Sequence, residues 1–137
     1  MFAADLASRS LGIEITEAAD GRAVATMRVS EIMVNGHDIA HGGYLFLLAD
    51  TAFACACACN SYGPVTVAAG AEVSFVTSAH LGDLLVATAE MRTRYGRNGI
   101  YDVTVHREDP TGATVIAEFR GRSRTITANG TSKKEDR

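Results

Sequence analysis

Residues 35–60 read NGHDIAHGGYLFLLADTAFACACACN. A polar loop with two histidines, His37 and His41, ends in the pair Gly42-Gly43. From there to Cys59 nearly every residue is apolar or small, and the one charge is Asp50. A segment that is apolar on every side is expected to be buried on every side, and a carboxylate inside it is costly unless something needs it there. The stretch therefore reads as one central buried helix carrying a single chemical group. Asp50 as the N-cap of a second helix is the weaker reading, because Leu47, Leu48, Ala52 and Phe53 continue one apolar pattern across it. A membrane span is weaker still: the run is about 17 residues with a charge near its middle, at or below the short end for crossing a bilayer.

Outward from this helix the period changes to two. On the N-terminal side, residues 2 to 9 suggest a short amphipathic helix with Phe2, Ala3 and Leu6 on one side. Leu11 to Thr16 alternates as a strand, Ala19-Asp20-Gly21 supplies a turn, and Arg22 to Val29 places Ala23, Ala25, Met27 and Val29 on one face of a hairpin partner. On the C-terminal side, Asn60 to Pro64 breaks the helix. Four strands are then expected: Val65–Thr77, with Val65, Val67, Ala69, Ala71, Val73 and Phe75 on one face; Asp83–Arg94; Gly99–Arg107, with Tyr101, Val103 and Val105 inward; and Ala113–Ile126. The turns between the last three fall at Gly96–Asn98 and at Asp109–Gly112 (DPTG). The expected architecture is α+β: two strands, one long helix, and a four-stranded antiparallel meander curved round that helix. Small residues at Ala68–Ala71 suggest close approach of a neighbour. Residues 1–126 form a single domain, and 127–137 a polar, disordered tail.

Composition bounds the function. The chain has 137 residues, 47% of them hydrophobic and 21% charged, with a net charge of −3. That argues against a nucleic-acid partner, which favours a strongly basic domain. No secretory signal and no spanning segment is evident, so a cytoplasmic location without membrane association is expected. Cys55, Cys57 and Cys59 are too few and too clustered for a disulfide framework. On a helix Cys57 points away from the other two, so they read as small buried hydrophobes in a reducing compartment. His37, Asp38 and His41 lack a third ligand at suitable spacing, and no metal is expected.

The chemistry gathers at the two ends of the helix's first half. Gly42 and Gly43 lie where backbone N–H groups go unpaired and where the helix dipole is positive. Such an end suits a carbonyl oxygen gaining charge during acyl transfer. Asp50 is eight residues further on, roughly 12 Å at 1.5 Å per residue, whereas reacting atoms must lie within roughly 3–3.5 Å. If both act on one substrate, two helices must lie antiparallel across a dimer, each Asp50 facing the other subunit's Gly42.

The run NGHDIAHGGYLFLLADTAFA resembles the helix motif of the hotdog-fold acyl-CoA thioesterases, in particular the phenylacetic-acid-degradation group. The likeness extends to Phe75 with Gly82-Asp83, to Gly96-Arg97 with Gly99-Ile100-Tyr101-Asp102, and to Phe119-Arg120-Gly121-Arg122-Ser123. The resemblance implies a hotdog fold and hydrolysis of an acyl- or aryl-CoA thioester, phenylacetyl- or hydroxyphenylacetyl-CoA among the candidates. It implies no cofactor beyond the coenzyme A of the substrate. Asp50 takes the place of the family's nucleophile or general base, Gly42 of the glycine whose N–H polarises the thioester carbonyl, Asn35 of a polar side chain orienting substrate or water, and His41 of an orienting histidine. Gly43 and Thr51 beside them are expected to contact substrate. A homodimer with shared sites, paired into a tetramer, is also implied. Arg120, Arg122 and Arg124 share one face of the last strand; with Arg97 they suit either the coenzyme-A phosphates or protection of an edge strand. A hotdog hydratase or dehydratase and a non-catalytic acyl-CoA binder stay open as alternatives.

Overall fold

In a computed structural model the described residues are 4–60 and 65–126. The chain runs α1 (Leu6–Ser10), β1 (Glu14–Ala19), β2 (Arg22–Arg28), a 3-10 turn (Glu31–Met33), α2 (Gly42–Asn60), β3 (Val65–Phe75), β4 (Leu84–Tyr95), β5 (Asn98–Asp109) and β6 (Gly112–Ile126). The six strands form one antiparallel sheet in the order β1-β2-β4-β5-β6-β3. This is the hotdog arrangement, with α2 lying against the sheet's inner face. Among the described residues no helix is long and apolar enough to cross a membrane.

The alternation in β2, β4 and β5 places Ala23, Ala25, Met27, Leu85, Ala87, Ala89, Tyr101, Val103 and Val105 in the core, as their period of two requires. Opposite them α2 contributes Leu45, Leu48, Ala49, Ala52, Phe53 and Ala56. The small residues on both surfaces let helix and sheet approach closely, and one large side chain fills the centre. Phe53 meets Tyr101 edge-on at 5.3 Å and lies 5.8 Å from Phe119. Its ring also rests on Gly121, where a β-carbon would come within 2.8 Å of it.

Several expectations are corrected. The four C-terminal strands are not one meander: β4, β5 and β6 are, but β3 crosses over to pair with β6 and forms the sheet edge. The face assigned to β3 holds only in part, because a register shift between Ala68 and Gly70 reverses the alternation. Ala71 and Val73 lie beside the buried Gly121 and Phe119 and pack on the core, whereas Val67 pairs with the exposed Arg124. An extra residue in a strand has this effect, and period counting alone does not locate it. The first strand starts later than expected, at Glu14, although Ile13 just before it is buried.

Nor is α2 covered on every side in the single chain. Gly43, Ala54 and Ala58 are exposed and Leu47 and Asp50 half-buried, and their spacing of three and four puts them on one stripe. The N-terminal helix is also not apolar in its docking: Leu6 is 75% exposed, while Ser8 is the residue buried. Phe2, Ala3, most of the 60–64 breaker and the 127–137 tail fall outside the described residues.

Gly121→Ala should cost about 1–3 kcal/mol, the usual range for overpacking a filled core, because Phe53 is held by two other rings and cannot swing away. Chemical denaturation measures the loss, and Phe53→Leu in the same chain should return part of it.

Candidate active site

The loop before α2 is pinned at several points. Val34 bridges Ala40, the Ala40 N–H donates to the Ala79 carbonyl at 2.8 Å, and the His41 N–H to the Met33 carbonyl at 2.7 Å. Asn35 organises the turn between them. Its Oδ1 accepts from the His37 N–H at 2.8 Å, and its own N–H donates to the Ile39 carbonyl at 2.9 Å. Asp38 takes φ of 64°, a left-handed conformation that short polar side chains tolerate best. Asn35 thus holds the loop through its oxygen while its side chain lines the cleft described below.

His41 caps the helix. Its Nδ1 accepts the Gly43 N–H at 3.0 Å, so the ring proton of the neutral form sits on Nε2. The Gly43 amide, expected to face substrate, is thus engaged by this ring. The Gly42 N–H, by contrast, has no hydrogen-bond partner among the described residues. Phe75 lies directly over this glycine: a β-carbon at Gly42 would approach the ring to 2.8 Å. A cleft of about 330 Å³ opens here, lined by Asn35, Gly42, Leu45, Phe75, Val76 and Thr77. It joins an apolar wall to a free amide at a helix N-terminus.

Asp50 is not part of that cleft's lining. Helix α2 is unbroken from Gly42 to Asn60, so the roughly 12 Å between the two groups stands. Asp50 lies instead on the uncovered stripe, half-buried. Burial, and after it the charge of Asp5, pushes its carboxyl above the ordinary carboxylate range.

Thr51, expected to contact substrate, is turned toward α1. It is 6% exposed, and its hydroxyl lies 2.7 Å from that of Ser8. The sequence reading missed Ser8 and Asp5 altogether. The signal was present in Asp5-Leu6-Ala7-Ser8, an N-cap aspartate with a hydroxyl three residues on, but the apolar positions of residues 2–9 drew the reading to a different helix.

The arginines divide. Arg120 makes a two-pronged pair with Asp102 at 2.7 and 2.9 Å, which Arg92 joins at 3.3 Å, and Arg120 holds the Asp102 carboxyl below its usual range. Arg122 lies 3.4 Å from Glu72. Both project from β6 opposite in phase to the buried Phe119 and Gly121, on the outer face of the sheet. Because β6 lies between β5 and β3, edge-strand protection does not explain them. Arg97 is exposed in the β4–β5 turn, held by its carbonyl, which accepts the Thr125 N–H at 2.8 Å. Cys55 and Cys57 are buried and unbridged. The Cys57 thiol is pushed up to about 11 by burial, with hydrogen bonds to Tyr101 and Ser123 opposing.

The family model of the thioesterase superfamily matches residues 37–114, the span that holds the loop, α2 and β3 to β5. Acyl-coenzyme A thioesterase PaaI of Escherichia coli (strain K12) is 41% identical over 126 residues, which is 92% of this chain and 86% of that protein. The solved structure of the E. coli PaaI protein from the phenylacetic acid degradation operon superposes with a TM-score of 0.84 at 40% identity, covering 92% of this chain and 88% of that one. A point mutant of phenylacetic acid degradation protein PaaI from Thermus thermophilus gives a TM-score of 0.82 at 29% identity, over 89% of this chain and all (100%) of that one. With the glycine loop and the central helix inside the matched span, and near full-length agreement with these relatives, the chain belongs to the thioesterase superfamily.

Proposed function

We propose that this protein is an acyl-CoA thioesterase, hydrolysing an acyl- or aryl-CoA thioester to the free acid and coenzyme A. The observation that carries the reading is the division of labour along α2. A free amide stands at its N-terminus in an apolar cleft, and the helix's one carboxylate lies two turns away on a face the single chain leaves open. Likeness to the E. coli acyl-coenzyme A thioesterase supports the substrate class. The aromatic wall supplied by Phe75 favours an aryl acyl group such as phenylacetyl or hydroxyphenylacetyl.

In this reading two copies pack their α2 stripes antiparallel, and the partner subunit's Asp50 reaches the cleft at Gly42. The small residues on the stripe let the helices approach. The thioester oxygen accepts the Gly42 N–H at the positive end of the helix dipole, where charge builds up as the carbonyl is attacked. Asp50 acts either by taking a proton from water, whose oxygen adds to the carbonyl carbon, or by adding itself and leaving water to open the anhydride. In both routes the C–S bond breaks, and the thiolate of coenzyme A departs and is protonated. Its raised pKa makes Asp50 a better base than an ordinary carboxylate. Asn35 and His41 act on the frame: Asn35 shapes the loop that carries the cleft, and His41 takes up the Gly43 amide so that only Gly42 points at substrate. With its Nδ1 accepting from Gly43 and its proton on Nε2, the neutral His41 ring has no free lone pair with which to act as a hydratase's base. Two dimers pair further into a tetramer, and Arg97 and Arg122 are the cations offered to the coenzyme-A phosphates.

A hydrolysis screen from short aliphatic to hydroxyphenylacetyl-CoA tests the activity. On the best substrate, Asp50→Asn should lower kcat by about 10²–10⁴ with KM little changed; a folded variant keeping its turnover removes Asp50 from the chemistry. The same substitution bears on stability. Folded Asp50 holds its proton to higher pH than the unfolded chain does, so stability falls as pH rises from about 4 through the raised folded value. Asp50→Asn should therefore be the more stable protein at neutral pH, and the advantage should vanish below about pH 4, as thermal melts across pH would show.

Sharing of sites is tested by mixing dead parents. Gly42→Pro removes the amide at a helix position where proline is tolerated, with the exposed Phe75 moving aside. Combined with Asp50→Asn subunits, it should return activity, since each heterodimer then contains one intact site. With subunit exchange confirmed, continued inactivity would mean each chain is self-sufficient. Arg97→Ala should raise KM for coenzyme-A thioesters more than for a thioester lacking the nucleotide, and equal effects would take it out of phosphate binding.

A further inference from the structure

The five-residue helix α1 is too short to hold itself, and its apolar residue Leu6 points to solvent. What docks it is a chain of polar groups. Asp5 accepts the Ser8 N–H at 3.0 Å and the Ser8 hydroxyl at 2.7 Å. Since the Ser8 proton is given to Asp5, the Ser8 oxygen must be the acceptor at 2.7 Å from Thr51, and Thr51 the donor. The chain thus runs one way, from Thr51 through Ser8 to the Asp5 carboxylate, with each bond polarising the next. Ser8 is 1% exposed and Thr51 6%, so water does not compete. Thr51 is the helix residue immediately after Asp50. A threonine inside a helix commonly returns its hydroxyl to the carbonyl four residues back; here that proton is spent across to α1 instead.

Asp5 has a second effect. Its charge acts on Asp50 from the facing element, in the sense that disfavours a second carboxylate charge. An asparagine would cap α1 about as well, so the charge itself needs a reason. The Asp50 charge in turn adds to the upward push on the Cys57 thiol of the same helix.

We propose that α1 is a positioning element of the active site, in which Asp5 and Ser8 clamp the catalytic helix at Thr51 and so fix the orientation of Asp50 without touching substrate. This rests on Asp50 being the catalytic carboxylate, so the test has one readout that needs no catalysis. Ser8→Ala should lower kcat about tenfold, with KM within about twofold, as a small displacement of a reacting group does. Asp5→Asn keeps the cap and should move the acid limb of the pH–rate profile to lower pH. It should also move the titration of the Asp50 carboxyl carbon, followed by carbon-13 NMR, in the same direction. Leu6→Ala, on the solvent side of α1, is the control and should change none of these. A purely structural α1 would lower the melting temperature in Ser8→Ala and leave the Asp50 titration of Asp5→Asn where it was. That unmoved titration, or a folded Ser8→Ala with wild-type kcat, overturns the proposal. If no acyl-CoA is hydrolysed by the unmodified protein, the proposed reaction fails, while the titration still decides whether α1 governs Asp50. Should Ser8→Ala fail to fold, Asp5→Asn alone decides.

Discussion

The contact of the Phe53 ring with the bare backbone of Gly121 sets how closely sheet and helix approach, and much else follows from it. A β-carbon at Gly121 would press into a ring already held between Tyr101 and Phe119. With helix and sheet this close, the other buried apolar positions of α2 are held to alanine, cysteine and leucine. That explains why α2 looks uniformly small and apolar in sequence. It also fixes the rotation of α2 about its axis. With Phe53 directed at β6, Leu47, three residues before Asp50, and Ala54, four residues after it, turn outward together, and the single carboxylate goes with them.

Much of this was legible in the sequence. The length of the apolar run and its lack of any breaker before Asn60 gave a long helix following the glycine pair, which in the structure opens on Gly42 itself. The two-residue period gave β2, β4, β5 and β6, and for β2 and β5 it gave the inward residues as well. The separation of Gly42, at the helix N-terminus, from Asp50, two turns on, was also legible, because it is set by spacing along one element and needs no knowledge of packing. What escaped notice depends on contacts between distant segments. The crossover of β3 to β6 leaves no local trace, and the shift at Ala68–Gly70 reverses a pattern that otherwise counts cleanly. Ser8 and Thr51 are 43 residues apart, and each alone reads as an ordinary hydroxyl. Gly43 looked equivalent to Gly42 until the His41 ring was seen to occupy its amide.

That pairing of His41 with Gly43 also clarifies why a histidine precedes the glycines. A helix N-terminus offers several donors at once, and a substrate carbonyl needs a defined one. In the proposed reaction, the imidazole that satisfies the second amide leaves a single direction for the incoming oxygen. The ring is then a selector among backbone donors, and a side chain unable to accept from Gly43 would leave two competing for the same atom.

The buried thiol of Cys57 has its own consequence for a protein whose proposed product is coenzyme A, a free thiol released beside the helix. Exchange between thiols and disulfides runs through the thiolate, and its rate follows the fraction ionised. With Cys57 pushed up to about 11 and shielded from solvent, that fraction is on the order of one in ten thousand at neutral pH. Cys57 can therefore sit in the core without becoming trapped as a mixed disulfide with the proposed product, even where oxidised coenzyme A accumulates.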